Sequence, residues 1–285
     1  MPPIDEYNKY VAGIFENGVL TNQGPLVKEL ESKLSSFLGV ENFHCVTNGT
    51  IALQLALAAM DINDGEVITT PFSYVATISS ILWQRCKPVF VDIEPDNFTI
   101  DVNKIEAAIT PKTRAIMAVH VFGYACDVEK IEEIVKKHNL VVIYDGAHTF
   151  GCKYKGRSLL SYGDITACSF HATKLFHTIE GGACIVRDKS VSDKLELQKR
   201  FGHIFDNHYI LGINAKMSEF HSAMGLAVFP YVADIIADRK RVSDKYDELL
   251  FGVVGRPKTQ KDLEYNYGIA RSEERRVGTE CRSRW

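Results

Sequence analysis

The chain has 285 residues, 46% hydrophobic and 24% charged, the proportions of a globular protein with a sizeable core in one large α/β domain or two ordinary ones. Its 33 Lys+Arg against 36 Asp+Glu leave a formal charge of −3, which offers no general attraction to nucleic acid or to an anionic membrane. No apolar run approaches the roughly 20 residues that span a bilayer, and "MPPIDEYNKY" lacks the basic end and apolar stretch of a secretory signal, so a cytoplasmic protein without membrane or nucleic-acid partners is expected.

The first strong pattern is "NQGPLVKELESKLSSFLG". Pro25 suits a first helical turn, Leu26, Leu30, Leu34 and Leu38 recur every four residues, and Gly39 can end the helix. "NGTIALQLALAAM" follows, apolar nearly all round, and predicts a buried helix beginning near Asn48. Short apolar runs then alternate with helical patterns. "EVITT" and "KPVFVDI" bracket "SYVATISSILWQ", "RAIMAVHV" and "LVVIYD" bracket "DVEKIEEIVKKH", and "DITACSF" and "GACIVRD" add two more strands. This alternation predicts a doubly wound α/β fold, a mostly parallel sheet with helices on both faces. "VADIIADRKRVSDKYDELL" (232–250) reads as a long amphipathic helix. Five of the last fifteen residues are arginine and almost none is aliphatic, so 269–285 is expected to be a disordered, non-native tail; a basic nucleic-acid tail is the functional alternative. The seven cysteines (45, 86, 126, 152, 168, 184, 281) are odd in number and nowhere spaced C-x-x-C, which speaks against a zinc site or a disulfide framework.

Four stretches carry candidate chemistry. Asn48-Gly49-Thr50 opens a helix whose unpaired N–H groups suit a phosphate, although a plain N-cap would use the same letters. Tyr74 follows a predicted strand, where an aromatic can stack on a flat ring or simply join the core. Asp145 ends "LVVIYD" at a sheet edge, where a poorly solvated carboxylate wants a cation such as a protonated pyridine nitrogen. Capping of the next turn is its bland alternative, and His148 lies three residues on. In "SFHATKLFHTIEGG", Ser169 can share a phosphate with Thr50, and Lys174 in a desolvated cleft becomes a carbonyl nucleophile rather than a surface lysine. Glu180-Gly181-Gly182 lets the chain double back beneath the site. No G-x-G-x-x-G follows the first strand, and no Walker loop or G-x-S-x-G occurs. Histidines 171 and 177 lack ligand spacing, so no metal is expected.

In their order, "GVLTNQGP", "TNGTIALQLAL", "EVITTPFSYVAT", "KPVFVDI", "YDGAH", "SFHATK…EGG" and "GINAKMSEFHSAMGL" resemble the blocks of the DegT/DnrJ sugar-nucleotide aminotransferases. That resemblance implies a fold type I pyridoxal-phosphate large domain with a seven-stranded-type sheet over 1–228. A linking helix and the start of a C-terminal domain would occupy 229–268, with most of that small domain missing. It implies pyridoxal 5′-phosphate as cofactor, Lys174 as the lysine that bonds to it, and Asp145 as the ring-nitrogen carboxylate. Gly49, Thr50 and Ser169 would hold the phosphate, Tyr74 would stack on the ring, and His148 would lie by the ring hydroxyl. Asn214 would reach the phosphate of a neighbouring subunit in a homodimer. Lys216 departs from the arginine common in the family. The resemblance is to enzymes that move an amino group from glutamate to C4 of a dTDP-linked 4-keto-6-deoxyhexose, the viosamine-forming transaminases of surface-polysaccharide synthesis. C3-aminating relatives and an inactive or regulatory cofactor-binding fragment are the alternatives; the related sugar dehydratases carry histidine where this chain has Lys174.

Overall fold

The computed structural model describes residues 1–250, 252 and 255–268, so the expected tail lies outside the described residues. Helix α1 (Ile4–Asn17) buries little beyond Ile14. Helix α2 (Pro25–Leu38) has Pro25 at its first turn and buries Val27, Leu30, Leu34 and Leu38, so the inward stripe starts on Val27 rather than Leu26. Strand β1 (Asn42–Val46) then enters the sheet and leads into helix α3 (Gly49–Ala59). Next come β2 (Glu66–Thr69), α4 (Val75–Trp83), β3 (Lys87–Phe90), the short α5 (Val102–Ile105) and β4 (Thr113–Val119). Helix α6 (Val128–His138), β5 (Val141–Asp145), the hairpin β6 (Lys153–Tyr154) and β7 (Arg157–Ser158), β8 (Ile165–Ser169) and β9 (Gly182–Val186) follow. The rest is α7 (Lys189–Gln198), the hairpin β10 (His203–Ile204) and β11 (Asn207–His208), α8 (Glu219–Val228), α9 (Val232–Leu249) and β12 (Leu263–Glu264).

Seven strands form one sheet in the order β1-β9-β8-β5-β4-β2-β3. The four contacts from β8 through β3 are parallel, and β9 runs antiparallel to both its neighbours. Alternate residues of one strand serve opposite cores. Ala115 and Met117 pack with the apolar face of α3, while Ile116 and Ala118 pack with Val128, Ile131 and Val135 of α6. A third core joins Val27, Leu30 and Leu34 of α2 to Cys168, Ala183 and Ile185 of the sheet and to α8. Strands covered on both sides are apolar throughout, which is why they read as continuous runs in the sequence.

The stretch from Glu219 to Leu249 is apolar and long enough by composition to span a membrane. Residues Ser222 to Val228 are nevertheless all buried among the helices and sheet, and Pro230 interrupts the stretch, so a core helix accounts for it. Beyond α9 the chain returns to the sheet domain. Leu263 pairs with Tyr154, Gln260 exchanges hydrogen bonds with the backbone of Ala125, and the Asn266 amide donates to the carbonyls of His148 and Phe150 at 2.9 and 2.8 Å. These contacts brace the loop that follows β5.

Candidate active site

The C-terminal ends of β4, β5 and β8, with the first turns of α3 and α4, enclose a cavity of about 920 Å³, toward the upper end of the roughly 300–1,000 Å³ of small-molecule sites. Gly49, Thr50, Tyr74, Asp145, His148, Ser169 and Lys174 all line it. Residues from four separate stretches thus converge at the sheet edge where open α/β sheets bind ligands.

One wall suits an anion. The Asn48 side chain accepts from Ile51 N–H at 2.9 Å, so the N-cap reading of these letters is correct as far as it goes. It uses only one donor, and the N–H groups of Gly49 and Thr50 have no hydrogen-bond partner among the described residues. Close approach explains the glycine. A Cβ on residue 49 would stand 2.9 Å from Ser169 Cβ and 3.3 Å from its Cα, so α3 abuts the end of β8 only because none is there. Gly182 is equally constrained, since a Cβ there would meet the Asn48 carbonyl carbon at 2.6 Å and the Cys168 oxygen at 2.8 Å. The chain does pass directly beneath the site at the Gly-Gly turn.

The same cavity holds an acid and an amine. Asp145, 6% exposed, accepts from Thr77 Oγ1 on Oδ2 at 2.6 Å and from Ala147 N–H on Oδ1 at 3.1 Å. Burial pushes its carboxyl above the ordinary 3.8; Thr77, Ala147 and Lys174 pull it back only in part. Lys174 sits in a turn closed by its N–H on the His171 carbonyl at 2.8 Å. Burial lowers its ammonium below the ordinary 10.5, and the nearby Asp145 charge opposes that incompletely. Its amine has no hydrogen-bond partner among the described residues, and it is the one lysine or arginine among the described residues that line the cavity. Both shifts are those of charges short of partners.

His148 is oriented by the backbone. The Phe122 N–H donates to its Nδ1 at 3.2 Å, which leaves the proton of a neutral ring on Nε2, and the Phe122 ring stacks on it with centroids 6.1 Å apart. Phe122 holds φ at +56°, an uncommon conformation for an aromatic residue. Tyr74 is 75% exposed on the cavity wall, which removes the core-aromatic alternative. Asn214 is not in this cavity. It is exposed near the β10–β11 hairpin and accepts from Lys216 Nζ at 2.6 Å. His177 does not line the cavity, whereas His171 does, 3.5 Å from Glu180. No group of three or more His, Cys, Asp or Glu able to hold a metal occurs among the described residues.

Thr77, Ser73 and Phe122 are functional-site residues that no spacing argument singled out. Ser73 and Thr77 stand one helical turn apart in "SYVAT", and that i, i+4 pair of hydroxyls was the available signal.

The donor set fits pyridoxal 5′-phosphate. Two unpaired N–H groups and two hydroxyls would suit its phosphate, a buried carboxylate short of a cation would suit its ring nitrogen, and an amine whose ammonium burial lowers would suit its carbonyl. Comparison with known proteins agrees. Residues 4–275 match the DegT/DnrJ/EryC1/StrS aminotransferase family. The chain is 43% identical over 272 residues to dTDP-4-amino-4,6-dideoxy-D-glucose transaminase of Shigella dysenteriae, covering 94% of this chain and 74% of that protein. It is 44% identical over 260 residues to the Escherichia coli enzyme of that name, covering 90% and 69%. Among solved structures, DesI in the presence of its TDP-sugar product superimposes with a TM-score of 0.86 at 31% identity, covering 95% of this chain and 68% of that one.

Proposed function

Because the chain belongs to the DegT/DnrJ/EryC1/StrS aminotransferases, a pyridoxal-phosphate-dependent family, we propose that its cavity moves an amino group from glutamate to C4 of a dTDP-linked 4-keto-6-deoxyhexose. The observation that carries this reading is the presence of a buried, under-solvated Asp145 and a desolvated Lys174, neither neutralised by the chain, in one cavity beside an open helix N-terminus. Relatives at 43–44% identity named for that sugar support the substrate, and glutamate is the donor the family resemblance implies.

Pyridoxal phosphate, when bound, supplies an electrophilic carbonyl and a ring that takes up the electron pair released as the donor loses its α-proton. The chain's residues supply the rest. Gly49 and Thr50 N–H groups and the hydroxyls of Thr50 and Ser169 hold the phosphate. Asp145 balances a protonated ring nitrogen, an ion pair that removes the cost of leaving this carboxylate alone in the interior. His148 donates from Nε2 toward the ring hydroxyl, and Tyr74 covers the ring. Lys174 Nζ would hold the cofactor at its carbonyl and would be the group that takes up and returns a proton there, a role that requires an amine able to be neutral near pH 7.

The phosphate is a dianion, and no arginine lines the cavity among the described residues. That shortage supports a homodimer in which Asn214 and Lys216 serve the partner's site. Six described cysteines are free and buried, which suits a reducing, cytoplasmic setting.

Borohydride reduction of the loaded protein followed by peptide mapping tests the assignment: the pyridoxyl label should be on Lys174, and a label elsewhere would overturn it. Mass spectrometry of the product from dTDP-4-keto-6-deoxyglucose and glutamate tests the substrate. Turnover only with 3-keto sugars would replace C4 by C3.

A further inference from the structure

The carboxylate of Asp145 is pinned at both oxygens, and one of its two donors belongs to a relay. Thr77 is fully buried on the first turn of α4, and its Oγ1 lies 2.6 Å from Asp145 Oδ2. An ionised carboxylate only accepts, so the Thr77 hydroxyl proton points at Asp145. Ser73 Oγ lies 2.6 Å from the same Thr77 oxygen, whose own proton is spent, so Ser73 must be the donor. The order is therefore Ser73 to Thr77 to Asp145, each bond fixing the next, and Ala147 N–H holds the other carboxylate oxygen at 3.1 Å. A carboxylate with one oxygen on a backbone N–H and the other on a buried hydroxyl has its plane fixed. Nothing in the packing of α4 requires a hydroxyl at position 77, where valine would fill the same space at the cost of the bond.

We propose that Thr77, oriented by Ser73, is the positioning residue that keeps Asp145 ionised and fixes its carboxylate plane toward the cofactor's ring nitrogen. This deepens the aminotransferase reading and rests on it. Without the Thr77 donor, the carboxylate charge loses stabilisation in a dry site, and the proton shared with the ring nitrogen moves toward Asp145. Charge-assisted hydrogen bonds of this kind affect equilibria and rates by about 10- to 100-fold.

The test uses the full chain loaded with ¹⁵N-labelled pyridoxal phosphate and reads the ring-nitrogen chemical shift, with the half-reaction toward glutamate as a second measurement. In Thr77→Val the shift should move toward that of an unprotonated pyridine, and the half-reaction should slow about 10- to 100-fold. Thr77→Ser should restore both. Ser73→Ala, which alters only a half-buried hydroxyl, should shift the signal the same way by less, and it carries the test should Thr77→Val not fold. Asp145→Asn is the control. If that control leaves the nitrogen signal where it was, Asp145 is not its partner, and the functional reading of Asp145 falls together with the relay. If the control moves the signal but Thr77→Val and Ser73→Ala both match the unmodified protein, the relay alone is overturned.

Discussion

Gly49→Ala puts the anion wall of the cavity to a quantitative test. Two effects oppose each other in the fold. Alanine is favoured over glycine in a helix by ~1 kcal/mol, less at a first-turn position. Against that, the new Cβ would lie 2.9 Å from Ser169 Cβ and 3.3 Å from Ser169 Cα, inside the roughly 3.5–4.0 Å of ordinary carbon contact. Ser169 ends a central strand and cannot retreat, so the first turn of α3 must. Overpacking of this sort costs about 1–3 kcal/mol, leaving a net destabilisation of roughly 0–2 kcal/mol. The cofactor should lose far more. Moving the Gly49 and Thr50 N–H groups away from the Ser169 hydroxyl separates donors that must converge on one phosphate, and each charge-assisted bond is worth about 1.5–3 kcal/mol. The expected result is a cofactor Kd raised at least tenfold, read by fluorescence titration, with the apoprotein melting within a few degrees of the parent. In the double variant Gly49→Ala/Ser169→Gly the offending Cβ contact is gone, so the melting temperature should recover while affinity should not. A Gly49→Ala protein that binds the cofactor as tightly as the parent would refute the phosphate wall.

Gly182→Ala should be harsher on the fold itself, by about 3 kcal/mol or more in chemical denaturation, because the added carbon meets backbone of Asn48 and Cys168 that no rotamer change can clear; a change under 1 kcal/mol would contradict the close approach. Burial raises the Glu196 carboxyl, but His44 and Lys199 more than offset this and hold it at about 2 against an ordinary 4.5. Its contribution is therefore complete above about pH 4.5 and lost as pH falls through about 2, worth about 3 kcal/mol at ~1.4 kcal/mol per pH unit. Glu196→Gln should remove that slope from an acid-denaturation series, and an unchanged slope would show that the carboxyl is not held there. Because burial lowers the Lys174 ammonium, more of it is neutral near pH 8 than of an exposed lysine. Reductive methylation of the apoprotein with formaldehyde should reach it ahead of the surface lysines, as peptide mass spectrometry would show, and labelling no faster than theirs would deny the desolvation.

The parts of the fold that could be read from the letters are those whose cause is local. Strands buried on both faces leave uninterrupted apolar runs, so β2, β4, β5 and β8 show plainly, and Pro25 with Gly39 brackets α2. Strand β1 hides because it lies at the sheet's edge, where His44 turns out to meet Glu196 and Ser192 on α7. The reversal of β9 is invisible too, since parallel and antiparallel interior strands look alike in composition. Long-range partnerships leave the least trace. Glu219 caps α2 by accepting from Leu26 and Val27 N–H at 2.8 and 3.0 Å across more than 190 residues, and Thr77 finds Asp145 across 68. In each case the sequence shows a polar residue near a helix start, and only the fold names its distant partner.

Two lysines show why the site still required coordinates. Lys199 is completely buried, yet its ammonium is held above the ordinary 10.5: burial alone would lower it, and Glu31 at 3.2 Å and Glu196 at 2.8 Å outweigh that. Lys174 is less buried, and yet burial lowers its ammonium, because Asp145 raises it without pairing to it and so offsets burial only in part. Burial by itself therefore does not separate a structural lysine from a reactive one. The difference lies in whether the surrounding chain has already neutralised the charge. Glu31, Glu196 and His44 complete the Lys199 cluster from within, so replacing it would damage folding and leave nothing for a ligand to gain. The cavity leaves both Lys174 and Asp145 incomplete, each shifted toward its neutral form, and a ligand carrying a carbonyl and a cationic nitrogen is what would complete them.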